Sequence, residues 1–257
     1  MKIIIRPAPY PAGFFFTKMK QMATEQIYEN YTKEDFRVWK TLFNRQMKFL
    51  ERKVCDDYLK ALDRVQFKPD KIPDFQEVNL LLEKQTGWGL INVPGLSSQE
   101  DFFRNLDRRR FTATSWLRSQ KQLDYIEEPD MFHDVFAHTP LLSDPDYCKF
   151  FRNLGALAVK YLNHPEMLLQ LGRIYWYTIE FGMITSSGGP QIYGAGIISS
   201  PGESRNALAD HSAKKDFDVK EILQTGYKTD RIQDCYFVID SFDQLSDALP
   251  EIESCLV

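Results

Sequence analysis

The stretch from Leu168 to Phe181 is apolar on nearly every side at helical spacing, and a helix of that kind belongs in the interior with the rest of the chain wrapped around it. Pro165 suits the first turn, where a missing N–H costs nothing, and Gly182 suits the exit. The demanding residue is Glu180. In the last turn its carboxylate faces the negative end of the helix dipole and is removed from water, so something positive must offset both costs. An ion pair with Arg173 is one solution, and a metal ion is another.

A second stretch, Glu128 to Leu142, holds two of only four histidines. Pro129 and Asp130 start a helix just before His133, and Pro140 ends it near His138. On an α-helix, residues four apart lie about 40° apart around the axis and residues five apart about 140°. His133 and His138 are five apart, so they cannot both face one ion from mid-helix. His138 is therefore expected in the last turn or just beyond it. On spacing alone, one surface histidine beside one buried, hydrogen-bonded histidine is the commoner explanation of the pattern. With Glu180 added, the three make two imidazoles and one carboxylate, the set that leaves positions open on iron for oxygen chemistry.

The remaining pattern is helical. Thr32-x-x-Asp35 resembles a capping signature, followed by Phe36, Trp39, Phe43, Met47, Leu50 and Val54 at helical intervals. Helices also follow at Tyr58 to Val65, at Phe75 to Leu82 behind Pro73-Asp74, behind Ser98-x-x-Asp101, from Asp144-Pro145, and from Val219 to Thr225. A terminal helix carries Phe242, Leu245, Leu249 and Ile252. Short strands are expected at Trp88 to Val93, Phe111 to Leu117 and Tyr236 to Ile239. Tyr193 to Glu203 contains glycines but no phosphate-loop lysine and no dinucleotide spacing, and is expected to form a pocket wall. Residues 1–30 are expected to be an N-terminal extended arm and 31–257 a single domain, since nothing divides them and 43% hydrophobic residues can fill one large core.

Charge and cysteines exclude several classes. Net charge is −4, and the one dense basic run, Arg108 to Arg110, is short, so no nucleic acid partner is expected. The apolar run at Met1 to Arg6 is too short for a signal peptide, and nothing approaches the roughly 18 apolar residues of a membrane span, so the expected location is cytoplasmic. Cys55, Cys148, Cys235 and Cys255 lack paired spacing and are expected to be thiols.

Three blocks in order carry a family resemblance: Glu-Pro-Asp-x-x-His-Asp-x-x-x-His-x-Pro-Leu-Leu from Glu128, Tyr-Trp-Tyr-Thr-x-Glu-Phe-Gly from Tyr175, and Tyr-Gly-Ala-Gly-x-x-Ser-Ser from Tyr193. From about Tyr31 to Phe242 the chain resembles the biopterin-dependent aromatic amino acid hydroxylases, most closely the bacterial phenylalanine 4-hydroxylases. The resemblance implies a mainly α, basket-like catalytic domain with a few short β-strands. It implies Fe(II) held by His133, His138 and Glu180, a tetrahydrobiopterin or related tetrahydropterin, and dioxygen. The implied reaction is hydroxylation of L-phenylalanine to L-tyrosine in phenylalanine catabolism, with a tryptophan or tyrosine hydroxylase as the alternative. Carried over by position, Phe102 would stack on the pterin, Gly95, Leu96, Ser97 and Gln99 would contact it, and Asp134 would lie near it. Arg118 would pair with the substrate carboxylate, while Pro129, Trp176 and Ser199 would surround its aromatic ring.

Ala137 replaces a glycine usual in the family and is expected at negative φ, because a positive angle is unfavourable with a Cβ. Ile126 stands where animal members have a hydroxyl. The chain has neither the regulatory domain nor the tetramerisation tail of animal members, so a monomer or dimer is expected. A zinc hydrolase with Asp134 as base is disfavoured by the histidine spacing and the distal Glu180, and a non-catalytic binder by retention of all three ligands and Arg118.

Overall fold

The computed structural model describes residues 25–124, 126 and 128–257. The expected arm lies outside the described residues as far as 24, and its last residues, Tyr28–Asn30, form a 3₁₀ turn. Helix α1 (Lys33–Leu50) starts on a reciprocal cap: the Thr32 hydroxyl accepts from the Asp35 N–H, and the Thr32 N–H donates to the Asp35 carboxylate at 2.7 Å. Helices α2 (Asp56–Arg64) and α3 (Phe75–Gln85) follow, the latter capped by Asp74 on Gln76 N–H at 2.8 Å. Gly87 then turns the chain at φ 77°.

Strand β1 (Gly89–Asn92), helix α4 (Gln99–Asp107) and strand β2 (Arg110–Ala113) make a crossover unit with β1 and β2 parallel. The second strand stops four residues earlier than the sequence suggests. Its next residue, Thr114, gives both its N–H and its hydroxyl to the Asp134 carboxylate, so the ladder loses its donor there. Arg109, between α4 and β2, adopts φ 57°, which fits the basic run forming a turn.

Helices α5 (Pro145–Lys160) and α6 (Pro165–Tyr175) come next. Behind them, strands β3 (Met183–Ile184) and β4 (Gln191–Ile192) pair antiparallel. Helices α7 (Ala195–Ser199) and α8 (Pro201–Leu208) occupy the stretch expected to be a pocket wall. Strand β5 (Ala213–Asp216), helix α9 (Val219–Gln224) and strand β6 (Cys235–Ile239) complete a sheet of order β4-β3-β6-β5, in which β6 is parallel to both neighbours. The terminal helix is two, α10 (Phe242–Asp247) and α11 (Leu249–Ser254), because Pro250 falls where a continuous helix would need its N–H.

The described residues are mainly helical, with two small sheets. Leu168, Leu171, Ile174, Trp176 and Ile179 are buried, as expected of a central helix, whereas Leu169 near its start is exposed. No helix among the described residues is long and apolar enough to cross a membrane. The four cysteines are free thiols.

Candidate metal centre and cavity

Two segments depart from α-geometry, and both carry candidate ligands. Phe132–His138 is a π-helix, and Trp176–Glu180 continues α6 as another. This corrects the α-helical expectation for His133 and His138. Bonding from residue i to i+5 brings residues five apart onto one face, as i to i+4 does in an α-helix, so the two imidazoles converge from a continuous helix. Their Nε2 atoms lie 3.2 Å apart.

The local cause is readable. In an α-helix the Phe136 carbonyl would take the N–H of residue 140, which is a proline; the Tyr58 hydroxyl donates to that carbonyl instead, at 2.7 Å. Phe132 and Phe136 stack at 4.5 Å and are clamped by Trp39 and Phe43 of α1, which holds the segment's other face. In the second segment the Phe181 N–H reaches back five residues to the Trp176 carbonyl at 2.9 Å, while the Thr178 hydroxyl takes the Ile174 carbonyl at 2.6 Å. Ala137 is not among the described non-glycine residues with positive φ, as expected.

Glu180 is placed by close backbone approach. A Cβ at Gly194 would lie 2.5 Å from the Glu180 carbonyl oxygen, and one at Gly196 would lie 2.7 Å from the Phe181 ring, so these two positions can press on the Glu180 segment only as glycines. The Glu180 Oε1 sits 3.2 Å from His138 Nε2, and Oε2 sits 3.7 Å from His133 Nε2. One donor atom from each residue lies within 4.8 Å of the others, and all three residues are buried.

The donor set fits a cation. Burial pushes the His133 imidazole down to about 4, which keeps it neutral. For Glu180 burial acts upward, but the adjacent imidazoles and the Tyr175 hydroxyl hold the carboxyl below its ordinary value. Glu180 Oε2 is buried without a hydrogen-bond partner among the described residues, a state costly for a carboxylate unless a cation faces it. The tautomer of His133 follows from its neighbour. Ser199 Oγ gives its one proton to the Ala195 carbonyl at 2.9 Å, so at 2.8 Å it accepts from His133 Nδ1–H, leaving Nε2 bare toward the cluster.

The triad lies at the base of a cavity of about 770 Å³, its open mouth included. Gly95, Leu96, Ser97, Gln99 and Phe102 line the mouth, and Asp134 and Pro129 line the sides. Burial pushes the Asp134 carboxyl up to about 7, despite its two bonds from Thr114. Three residues expected to hold a substrate are placed differently. Arg118 is buried in a bidentate pair with Asp130, Nε to Oδ2 at 2.9 Å and Nη2 to Oδ1 at 2.7 Å. Trp176 is buried between Tyr227 and Phe181, and Ser199 is engaged with His133. None of these three is on the open surface of the cavity.

Two contributors escape sequence reasoning. Tyr175 lines the cavity, meets Phe102 edge to face at 5.2 Å and donates its hydroxyl to Glu180 Oε1 at 3.0 Å. It lies in the second sequence block, but nothing in spacing marks its hydroxyl as bonded. Thr114 has no sequence signal, because its partner lies twenty residues away.

Residues 17–256 match the family model described as biopterin-dependent aromatic amino acid hydroxylase. The chain is 44% identical over 224 residues to a phenylalanine-4-hydroxylase of Chromobacterium violaceum, spanning 87% of this chain and 75% of that protein. It is 41% identical to one of Ralstonia nicotianae, over 94% of this chain and 83% of that one. A crystal structure of the Chromobacterium violaceum enzyme with bound iron(III) and 7,8-dihydrobiopterin superposes with a TM-score of 0.84 at 44% identity, covering 87% of this chain and 81% of that one. Another, with iron and phenylalanine bound, gives 0.83 at 40% identity over 89% and 85%.

Proposed function

The chain belongs to the biopterin-dependent aromatic amino acid hydroxylases, and from that premise we propose how its residues divide the work. It acts as a pterin-dependent non-heme iron monooxygenase that converts L-phenylalanine to L-tyrosine. The observation that supports this most is the convergence of His133, His138 and Glu180 at the base of a cavity whose mouth carries Phe102.

In this reading His133, His138 and Glu180 would hold Fe(II) at the base of the cavity. Bound iron supplies a site for dioxygen activation, and the tetrahydropterin supplies reducing equivalents. Ser199 fixes the His133 ring and Tyr175 fixes one Glu180 oxygen, so the ligands are oriented before metal arrives. The half-buried Phe102 ring offers a face for the pterin, and the Gly95–Gln99 stretch offers backbone groups to its edge. Asp134, held by Thr114, stands beside it.

The amino acid carboxylate is assigned to Arg118 by the resemblance; its Nε and Nη2 are engaged with Asp130, which fixes the guanidinium plane, and because the side chain is buried off the cavity surface, substrate must open the cavity toward it. Pro129 flanks the substrate ring, and the apolar walls at Phe103 and Phe111 exclude water from the reacting face.

The test is to load the purified protein anaerobically with Fe(II), supply tetrahydrobiopterin and oxygen, and offer phenylalanine, tryptophan and tyrosine in turn. Tyrosine formed from phenylalanine at the highest kcat/KM is expected. A higher kcat/KM with tryptophan or tyrosine would assign the site to that substrate, and absence of pterin-dependent product from all three would overturn the reading.

A further inference from the structure

A π-helical register is rare and needs a reason to persist. Phe132–His138 is bracketed by α-type bonds: the Asp134 N–H donates to the Asp130 carbonyl at 3.0 Å near its start, and the Thr139 N–H donates to the Val135 carbonyl at 3.3 Å at its end. The α register is therefore the near neighbour of the one observed. The two differ at the Phe136 carbonyl. With residue 140 a proline, α-bonding there would lack its donor, and the pyrrolidine ring would press on that same carbonyl. In the wider register the carbonyl meets the Tyr58 hydroxyl at 2.7 Å, and the Tyr58 ring lies edge-on to Phe136 at 6.3 Å.

The donor is placed independently of the segment it serves. Tyr58 is fully buried in the first turn of α2, and the start of α2 is bonded to β4: the Cys55 N–H donates to the Ile192 carbonyl and the Ile192 N–H to the Lys53 carbonyl, both at 2.9 Å. At the far end of α2, Arg64 Nε donates to Ser143 Oγ at 3.0 Å and Nη2 to Asp144 Oδ2 at 3.3 Å. Helix α2 thus grips the chain on either side of Pro140. Tyr58 does not line the cavity, so its effect on the centre passes through the backbone.

We propose that Tyr58 and Pro140 together select the wider register of Phe132–His138 and thereby set the affinity of the centre for its metal. Pro140 withholds the donor that α-bonding would use, and Tyr58 supplies the one that replaces it. This rests on the reading of His133, His138 and Glu180 as a metal centre. A metal binds the two imidazoles together only where they converge, so any population of the α register in the metal-free protein lowers the apparent affinity by the converged fraction.

The experiment measures Fe(II) affinity by anaerobic chelator competition and the thermal midpoint of the metal-free protein, in the same set of variants. Tyr58→Phe is expected to weaken Fe(II) binding roughly tenfold, the scale of a buried carbonyl left without its donor, and to lower the midpoint by roughly 2 to 4 °C. Adding Pro140→Ala returns an N–H to residue 140, so the double variant can bond the Phe136 carbonyl in the α register. It is expected to recover most of the lost midpoint while binding Fe(II) more weakly still, by a further threefold or more. Stability and affinity moving in opposite directions is the mark of register selection, which a merely structural hydroxyl would not produce. Tyr28→Phe, which removes a hydroxyl bonded to the Ile72 carbonyl at 3.0 Å, is the control and is expected to leave Fe(II) affinity unchanged.

Wild-type affinity in Tyr58→Phe would overturn the proposal and leave Tyr58 a packing residue, and so would a double variant that recovers affinity along with the midpoint or recovers neither. Should Tyr58→Phe not fold, the double variant still decides: it is expected to fold and to bind Fe(II) weakly, and failure to fold or wild-type affinity would rule out the α register as the competitor. If the unmutated protein does not bind Fe(II), the metal centre itself fails, an outcome distinct from all of these.

Discussion

The base of the cavity and its mouth are built to different standards. At the base, His133, His138 and Glu180 are buried on two π-helical segments, and neighbours fix their positions: Ser199 on His133, Tyr175 on Glu180, Tyr58 on the first segment, and side-chain-free Gly194 and Gly196 against the second. At the mouth, Leu96 is 50% exposed and a Cβ at Gly95 would meet nothing within 4 Å. The base must hold donor atoms at positions a cation can use, so its tolerance is small. In the proposed reading the mouth contacts a flat ring and can adjust, so displacements there cost little.

Substitutions should therefore fall in effect from base to mouth. Glu180→Gln keeps volume but removes the anionic donor, and should lower turnover by more than about 100-fold, beyond the loss typical of an outer partner, with reduced iron per chain and an intact circular dichroism spectrum. Wild-type turnover in that variant would remove Glu180 from the centre. Arg118→Lys keeps the charge but loses the fork, and also strips the Asp130 pair of its bidentate geometry; phenylalanine capture should weaken by about 1.5 to 3 kcal/mol with iron content unchanged. The ratio of tyrosine formed to pterin consumed should fall as well, and an unchanged KM and ratio would mean that Arg118 serves only Asp130.

Ser199→Ala leaves His133 free to turn, and should weaken iron affinity by roughly 10- to 100-fold in a chelator competition while the saturated enzyme retains most of its turnover. Affinity equal to wild type would show that packing alone orients the imidazole. Phe102→Ala should raise the pterin KM by roughly fivefold, or about 1 kcal/mol, and leave the phenylalanine KM in place. A pterin dependence that does not move would put the cofactor elsewhere in the cavity. Leu96→Ala should change pterin KM and thermal midpoint by no more than about 0.5 kcal/mol equivalent. A larger loss there than at Phe102 would reverse the proposed order and make the mouth the precise element.

Helix starts were legible because their chemistry is local. Thr32 with Asp35, Asp74 with Gln76, and Asp144 with the N–H groups of Asp146 and Tyr147 each join residues two or three apart. The candidate ligands were legible for a related reason: a carboxylate in an apolar helix and two histidines between prolines are costly enough to stand out in the chain. The end of β2 at Ala113 was not legible, because Asp134, which claims the next donor, lies in another element. The pairing of Arg118 with Asp130 was equally invisible, since two charges twelve apart carry no mark of their partnership.

The sequence by itself determined that a buried helix would carry Glu180 and that His133 and His138 would stand near the end of a second helix, and the three resemblance blocks gave the chemistry proposed for these residues. The tertiary structure alone decided how two histidines five apart could face one point. An α-helix forbids it, and the π-helix that permits it has its Phe136 carbonyl satisfied by Tyr58 from α2 and its phenylalanines clamped by α1. Those partners are more than seventy residues away along the chain. Local propensity acts over one helical turn, so only the packed molecule could select the wider one.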